Sequence, residues 1–147
     1  MFKNILVPTD GSAPSRRALK RAVQLAKEQR ARITGFYVGP AWQLPVHAEL
    51  APMEIISPKD HAAAVKKTAN RILQAVKKAA AAGRVPCRCR HVMGDHAYAE
   101  IVNAARRHRC DLIVIASHGR RGILRLLLGS VTGKVLAHSP IPVLVCK

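Results

Sequence analysis

The sequence predicts an α/β fold, a parallel sheet covered by helices on both faces. Three observations point there. Short apolar runs and amphipathic helical stretches alternate along the chain in the order β-α-β-α-β-α-β-α-β. The runs Ile5-Leu6-Val7 and Leu112-Ile113-Val114-Ile115 are apolar without a polar alternate, as in strands buried on both faces. No repeat, linker or low-complexity segment interrupts the pattern, and 147 residues are enough to bury a real core, so residues 1–147 are expected to form one domain. Right-handed crossovers leave few topologies for such a chain. Ligands then bind beyond the carboxyl ends of strands, where the strand order reverses.

Lys3 to Pro8 reads as the first strand and Thr9-Asp10-Gly11-Ser12 as the turn at its carboxyl end. Ser12 is placed to cap the following helix and Pro14 suits its first turn. From Ser15 to Gln29, Ala18, Leu19, Ala22, Val23 and Ala26 fall on one helical face, with the basic residues opposite. Ala31 to Val38 is the second strand. Four prolines between Gly39 and Pro58 make that stretch mostly loop, long enough to act as a lid or binding loop, with Trp42 pinning it to the body. Lys59 to Ala82 is the longest helix, inward through Val65, Ala69, Ile72, Leu73, Val76 and Ala80, and Gly83 stops it. Val85 to Val92 alternates small or apolar residues with basic ones, so it is a strand with one wetter face, near a sheet edge. Met93-Gly94-Asp95 turns, and His96 to Arg107 is a helix facing inward through Ile101, Val102, Ala104 and Ala105. A fourth strand over Leu112–Ile115 and a short helix from Val131 to His138 follow. Pro140 to Cys146 is the last strand, and Pro142 near its start fits an edge position.

Composition narrows the functions. No stretch is apolar over the length a membrane span needs, and the opening residues go straight into a strand with no signal-peptide layout, so the cytoplasm is the expected location. Cys87, Cys89, Cys110 and Cys146 form no CxxC pair, and the Cys87-Arg88-Cys89 spacing suits neither a zinc knuckle nor an easy disulfide. All four read as reduced thiols, with a redox sensor as the minority reading. The net charge of +17 is unusual, but its lysines and arginines are spread over every helical segment, and aromatics for stacking bases are only 3% of residues. Only non-specific nucleic-acid binding is therefore expected.

The stretch from Asp111 to Ser130 organises the chain. Its buried run stops at Ala116-Ser117-His118-Gly119, where small residues let a ligand approach the backbone. Gly129-Ser130 opens the next helical pattern, where free N–H groups and the helix dipole favour an anion. Spacing alone leaves two readings open, a phosphate cradle or an ordinary strand-loop-helix connection. Known catalytic patterns are missing. GxGxxG and GxSxG do not occur, and the run from Gly129 to Val135 has three residues rather than four between its glycines and a valine where a Walker A loop needs a hydroxyl. The histidines show no metal-ligand spacing and no Ser, His and carboxylate spacing builds a triad, so no catalytic or metal-binding residue is assigned.

Ser117-His118-Gly119, nine residues, Gly129-Ser130 and then Pro140-Ile141-Pro142-Val143-Leu144-Val145 closely resemble the universal stress protein family. The resemblance spans nearly the whole chain: Ile5 to Ser12 is similar to the family's opening strand and turn, and Val92-Met93-Gly94-Asp95 to its turn before the third helix. It implies a five-stranded Rossmann-like sheet of the adenine nucleotide alpha hydrolase-like kind, order 3-2-1-4-5, and a homodimer joined through the last strand at Val143, Leu144 and Val145. Many members bind ATP through the pattern G-x2-G-x9-G-[ST], and others lack both. Carried over by position, Asp10 and Val38 hold the adenine or ribose end, and Pro8 and Thr9 line the same wall. Gly119, Gly129 and Ser130 hold the phosphates, with loop contacts from Ser117 and His118. Magnesium is expected to be held mainly by the phosphates themselves. Arg120, Arg121 and Arg125 either add phosphate contacts or are solvated loop charges. The pattern's first glycine is Ala116 here, a costly change if that site needs a positive φ and a small one otherwise. The resemblance implies an ATP-binding stress protein acting as a nucleotide-dependent switch or binding module. The alternatives are a slow ATPase and a nucleotide-free dimeric scaffold that recruits a partner protein.

Overall fold

The computed structural model describes residues 1–44, 55–120 and 128–147. Among them five strands alternate with four helices: β1 (Asn4–Pro8), α1 (Ala13–Gln29), β2 (Arg32–Gly39), α2 (Pro58–Ala82), β3 (Cys87–Met93), α3 (Ala97–Arg107), β4 (Leu112–Ala116), α4 (Ser130–His138) and β5 (Val143–Cys146). The strands form one parallel sheet in the order β3-β2-β1-β4-β5, the topology that the sequence led us to expect.

Strand periodicity sorts the core into two layers. Ile5, Val7, Ile33, Leu112 and Val114 point to one face and pack under Leu19, Ala22 and Ala26 of α1 and Ala69, Leu73 and Val76 of α2. Leu6, Phe36, Ile113 and Ile115 point to the other, under Ile101, Ala104 and Ala105 of α3 and Val135 of α4. The apolar stripes expected for α2 and α3 are the buried sets observed. In α1 Val23 is only partly buried and Ser15 takes a buried place at its start.

Local chemistry explains where the elements begin and end. Ser12 caps α1 by accepting from the Ser15 N–H, and Ser57 caps α2 by accepting from the Asp60 N–H. Gly83 does end α2, but with an ordinary right-handed backbone. The left-handed residue is the next one, Arg84 (φ 56°). Gly83 is small because a Cβ there would lie 2.5 Å from Val23 Cγ1 of α1.

The third strand begins at Cys87 and not at Val85, because the Val85 N–H is taken by Ala80 O in closing α2. The last strand begins at Val143 and not at Pro140. Pro140 and Pro142 have no N–H to give a ladder, although Pro142 O still accepts from Ile113 N. β3 and β5 are the two sheet edges. Trp42 is half-buried, and its Nε1 donates to Ile56 O at 2.9 Å, tying the two described ends of the connection between β2 and α2 to each other. Pro45 and Pro52 of that connection, and Arg121 and Arg125, lie outside the described residues.

The sheet's amino-terminal end is locked by buried polar groups. Asn4 Nδ2 donates to His108 O at 2.9 Å, and Asn4 Oδ1 accepts from Thr34 Oγ1 at 2.9 Å. Asp111 accepts from the N–H groups of Lys3 and Asn4. The carboxyl-terminal end instead opens into a cavity.

Candidate functional site

β1 has β2 on one side and β4 on the other, so the crossovers leaving β1 and β4 run to opposite faces of the sheet. The backbone parts at that point and leaves a cavity of about 540 Å³ beyond the strand ends. The turn at Asp10 and the start of α4 at Gly129, distant in the chain, both line it. So do Pro8, Thr9, Val38, His118, Gly119 and Ser130.

Ser117, the other residue carried over by resemblance, is buried and does not line the cavity. It works on the backbone instead. Its N–H donates to Cys146 O at 2.7 Å, its carbonyl accepts from Gly129 N at 2.7 Å, and its hydroxyl shares a hydrogen bond with His118 Nδ1 at 2.9 Å. Ser117 thus sets where α4 begins.

Asp10 is the polar hub. Its Oδ1 accepts from the Ser15 hydroxyl at 2.6 Å and the Ser12 N–H at 2.9 Å, and its Oδ2 accepts from the Arg120 N–H at 3.0 Å. One carboxylate therefore joins the turn after β1 to the loop after β4. Burial pushes its pKa up, but the hydrogen bonds from Ser12, Ser15 and Arg120 outweigh that and hold it below the ordinary value. Gly119 is small for the same reason: a Cβ there would sit 2.5 Å from Asp10 Oδ2. Gly11 takes a positive φ of 78° that lets the turn close.

The opposite wall is the start of α4. The first i→i−4 bond of that helix runs from Gly133 N to Gly129 O at 2.9 Å. The N–H groups of Ser130, Val131 and Thr132 precede it and face the cavity end of the helix. Gly129 N is spoken for by Ser117 O, so the amides on offer begin one residue later than the motif suggests. Thr132 Oγ1 donates to Ala116 O at 2.7 Å and fixes α4 on the end of β4. Ala116 is the last residue of β4, paired with Cys146. Among the described residues positive φ at a non-glycine occurs only at Arg30, Arg84 and Arg109, so the alanine methyl meets no backbone penalty.

Between these walls the lining is apolar: Phe36 from β2, Ile115 from β4, and Ala97 and Ile101 from α3. Ala97 and Ile101 carry no signal of this role in the sequence, because only the α3 crossover brings that helix over the crevice. Ser15 was also missed. A hydroxyl five residues after Asp10, on the first turn of the capped helix, was the available signal. Among the described residues no three His, Cys, Asp or Glu side chains gather to hold a metal ion.

Known proteins share this fold. A model of the universal stress protein family matches residues 1–147. The universal stress protein YxiE of Bacillus subtilis is 36% identical over 152 residues, covering 100% of this chain and 100% of that protein. The solved structure of MJ0577 from Methanocaldococcus jannaschii superposes with a TM-score of 0.83 at 27% identity, covering 100% of this chain and 96% of that one. A universal stress protein solved in complex with cAMP superposes with a TM-score of 0.71 at 26% identity, covering 99% of this chain and 97% of that one.

Proposed function

This chain belongs to the universal stress protein family, and from that premise we propose that it binds ATP in the cavity beyond β1 and β4, acting as a nucleotide-dependent switch or binding module in the stress response. The observation that carries the reading is the cavity's two-part lining, with an apolar wall of Phe36, Val38 and Ile115 facing amides at the start of α4. An adenine ring suits the first and a polyphosphate the second. The cAMP complex of the related protein supports an adenine nucleotide as the ligand class.

In this reading Asp10 and Val38 take the adenine or ribose end, beside Pro8 and Thr9. The phosphates lie along His118, Gly119, Gly129 and Ser130, with Ser117 holding that backbone in place. Magnesium arrives on the phosphates. Because Asp10 Oδ2 already bridges to the Arg120 N–H, a nucleotide that competes for that carboxylate alters the link between the two loops, which is the switching step. The same reading extends to one domain over residues 1–147, working in the cytoplasm as a homodimer through the exposed edge strand β5, where Leu144 is 43% exposed.

Calorimetry of the full chain with ATP, ADP, AMP and cAMP in magnesium buffer tests this, together with mass spectrometry of any nucleotide that survives purification. ATP is expected to bind more tightly than AMP, because its additional phosphates reach α4. Gly119→Ala, which displaces the Asp10 carboxylate, is expected to weaken ATP about tenfold, roughly 1.4 kcal/mol. No heat at millimolar ATP overturns the reading. Phosphate release that survives repurification and is lost in Ser130→Ala would move the assignment to a slow ATPase.

A further inference from the structure

Two cysteines on the edge strand have no part in the cavity. Cys87 and Cys89 are alternate residues of β3, so both side chains point to the α2 face, while Arg88 between them points the other way to Thr34 Oγ1 and His108 O. Their sulfurs are 4.0 Å apart. Both thiols are free and partly exposed. Glycine on the neighbouring strand makes the room: a Cβ on Gly35 would lie 3.1 Å from Cys89 Sγ. Cys89 Sγ also sits 3.8 Å from Leu73 O, which seats it against α2. The positive charge of Lys77, from the next turn of α2, acts on both sulfurs, and that of Arg90 on Cys89.

We propose that Cys87 and Cys89 form a thiol redox site, in which Cys87 is oxidised by a peroxide and Cys89 resolves it into a reversible disulfide. The roles follow from the asymmetry of the pair. The 4.0 Å contact lets either thiol donate to the other; with Cys89 as the donor it combines with the Gly35 backbone and Lys77 to outweigh burial and bring the Cys87 pKa down to about 7. The same hydrogen bond, with burial and the Cys87 charge, pushes Cys89 up. Cys87 is thus the nucleophile and Cys89 keeps its proton. A partly exposed thiolate among cations is the environment in which cysteines react.

The chemistry balances with one peroxide. The Cys87 thiolate attacks one oxygen of hydrogen peroxide; the O–O bond breaks, hydroxide leaves and Cys87 becomes a sulfenic acid. The Cys89 sulfur then attacks the Cys87 sulfur. The S–O bond breaks, the S–S bond forms, and the departing hydroxyl leaves as water with the Cys89 proton. The sulfurs must close from 4.0 Å to about 2.05 Å. Alternate residues of a strand have Cα atoms about 6.6 Å apart, at the long end of what a disulfide spans. The bridge is therefore strained and easily reduced, as a reversible site requires. β3 has a ladder on one side only, so it can bend toward closure without breaking a second one.

The test uses the full chain. With one equivalent of hydrogen peroxide, wild type is expected to lose two thiols and 2 Da, the loss mapping to a Cys87–Cys89 cross-link that dithiothreitol reverses. Cys89→Ser is expected to stop at a sulfenic acid on Cys87 that dimedone traps, and Cys87→Ser to consume peroxide at least tenfold more slowly. A measurement on wild type stands apart from whether the variants fold: the pH dependence of Cys87 alkylation by iodoacetamide should have its midpoint near 7. Thiol loss shared equally with Cys110 and Cys146, cross-links between chains instead of within one, or an alkylation midpoint at the ordinary thiol value overturns the proposal.

Discussion

At the scale of single residues, Asp10 links folding to pH. Its carboxyl pKa is depressed in the folded chain by hydrogen bonds from Ser12, Ser15 and Arg120 that prevail over burial. A depressed carboxyl contributes stability that is present above its unfolded pKa and is lost as pH falls through the folded one. Asp10→Asn keeps an acceptor but turns an amide NH₂ toward the Arg120 N–H, setting two donors face to face. The variant is expected to lose about 1–3 kcal/mol near neutral pH. Its deficit relative to wild type should shrink below about pH 4 as the native carboxylate protonates. Chemical denaturation at several pH values checks both. The same neighbourhood shows what a sequence can convey about a site. Asp10, Gly119 and Ser130 were legible because their residue types carry the chemistry and their spacing resembles a known pattern. That Ser117 faces away from the cavity was not legible, since its hydrogen bonds to Cys146, Gly129 and His118 exist only after the strands have paired.

At the scale of elements, three helices finish in the same unusual way. Arg30, Arg84 and Arg109 follow α1, α2 and α3 with φ of 54°, 56° and 52°. In each case the next residue donates five positions back, Ala31 to Ala26, Val85 to Ala80 and Cys110 to Ala105. This is the Schellman closure, in which glycine is the usual left-handed residue. Arginine carries a Cβ cost of about 1–2 kcal/mol there, partly offset by the 0.5–1 kcal/mol or so of extra chain entropy that glycine would lose on folding. Replacing each arginine with glycine is therefore expected to stabilise the chain by roughly 0.5–1 kcal/mol, read from urea midpoints. The helix interiors were plain in the sequence because the 3.6-residue period reports burial directly, as the stripes of α2 and α3 demonstrate. Their ends were less so. Gly83 was legible as the stop of α2, but only the packing of Val23 of α1 against it explains why it is small. Proline marked the last strand's start three residues too generously, because an extended X-Pro segment resembles a strand until ladder donors are counted.

At the scale of the whole molecule, the chain carries a net charge of +17. Such a charge attracts any polyanion. Binding to a random DNA duplex is expected to fall steeply and linearly in log–log plots against salt, with no sequence preference, in a fluorescence titration. Nucleotide held inside the crevice should respond far less to the same salt, because amides and buried contacts are not screened as surface charges are. The strand order was legible only through resemblance; alternation alone predicted the parallel sheet. The Asp10–Arg120 hydrogen bond joins residues 110 positions apart. On the proposed reading, a ligand seated beside it fastens together segments from opposite ends of the polypeptide. Saturating occupancy at about a hundred times Kd then adds roughly 2.7 kcal/mol against global opening. On that same reading proteolytic lifetime would report occupancy of the crevice: the chain saturated with ATP is expected to be digested more slowly than the empty chain.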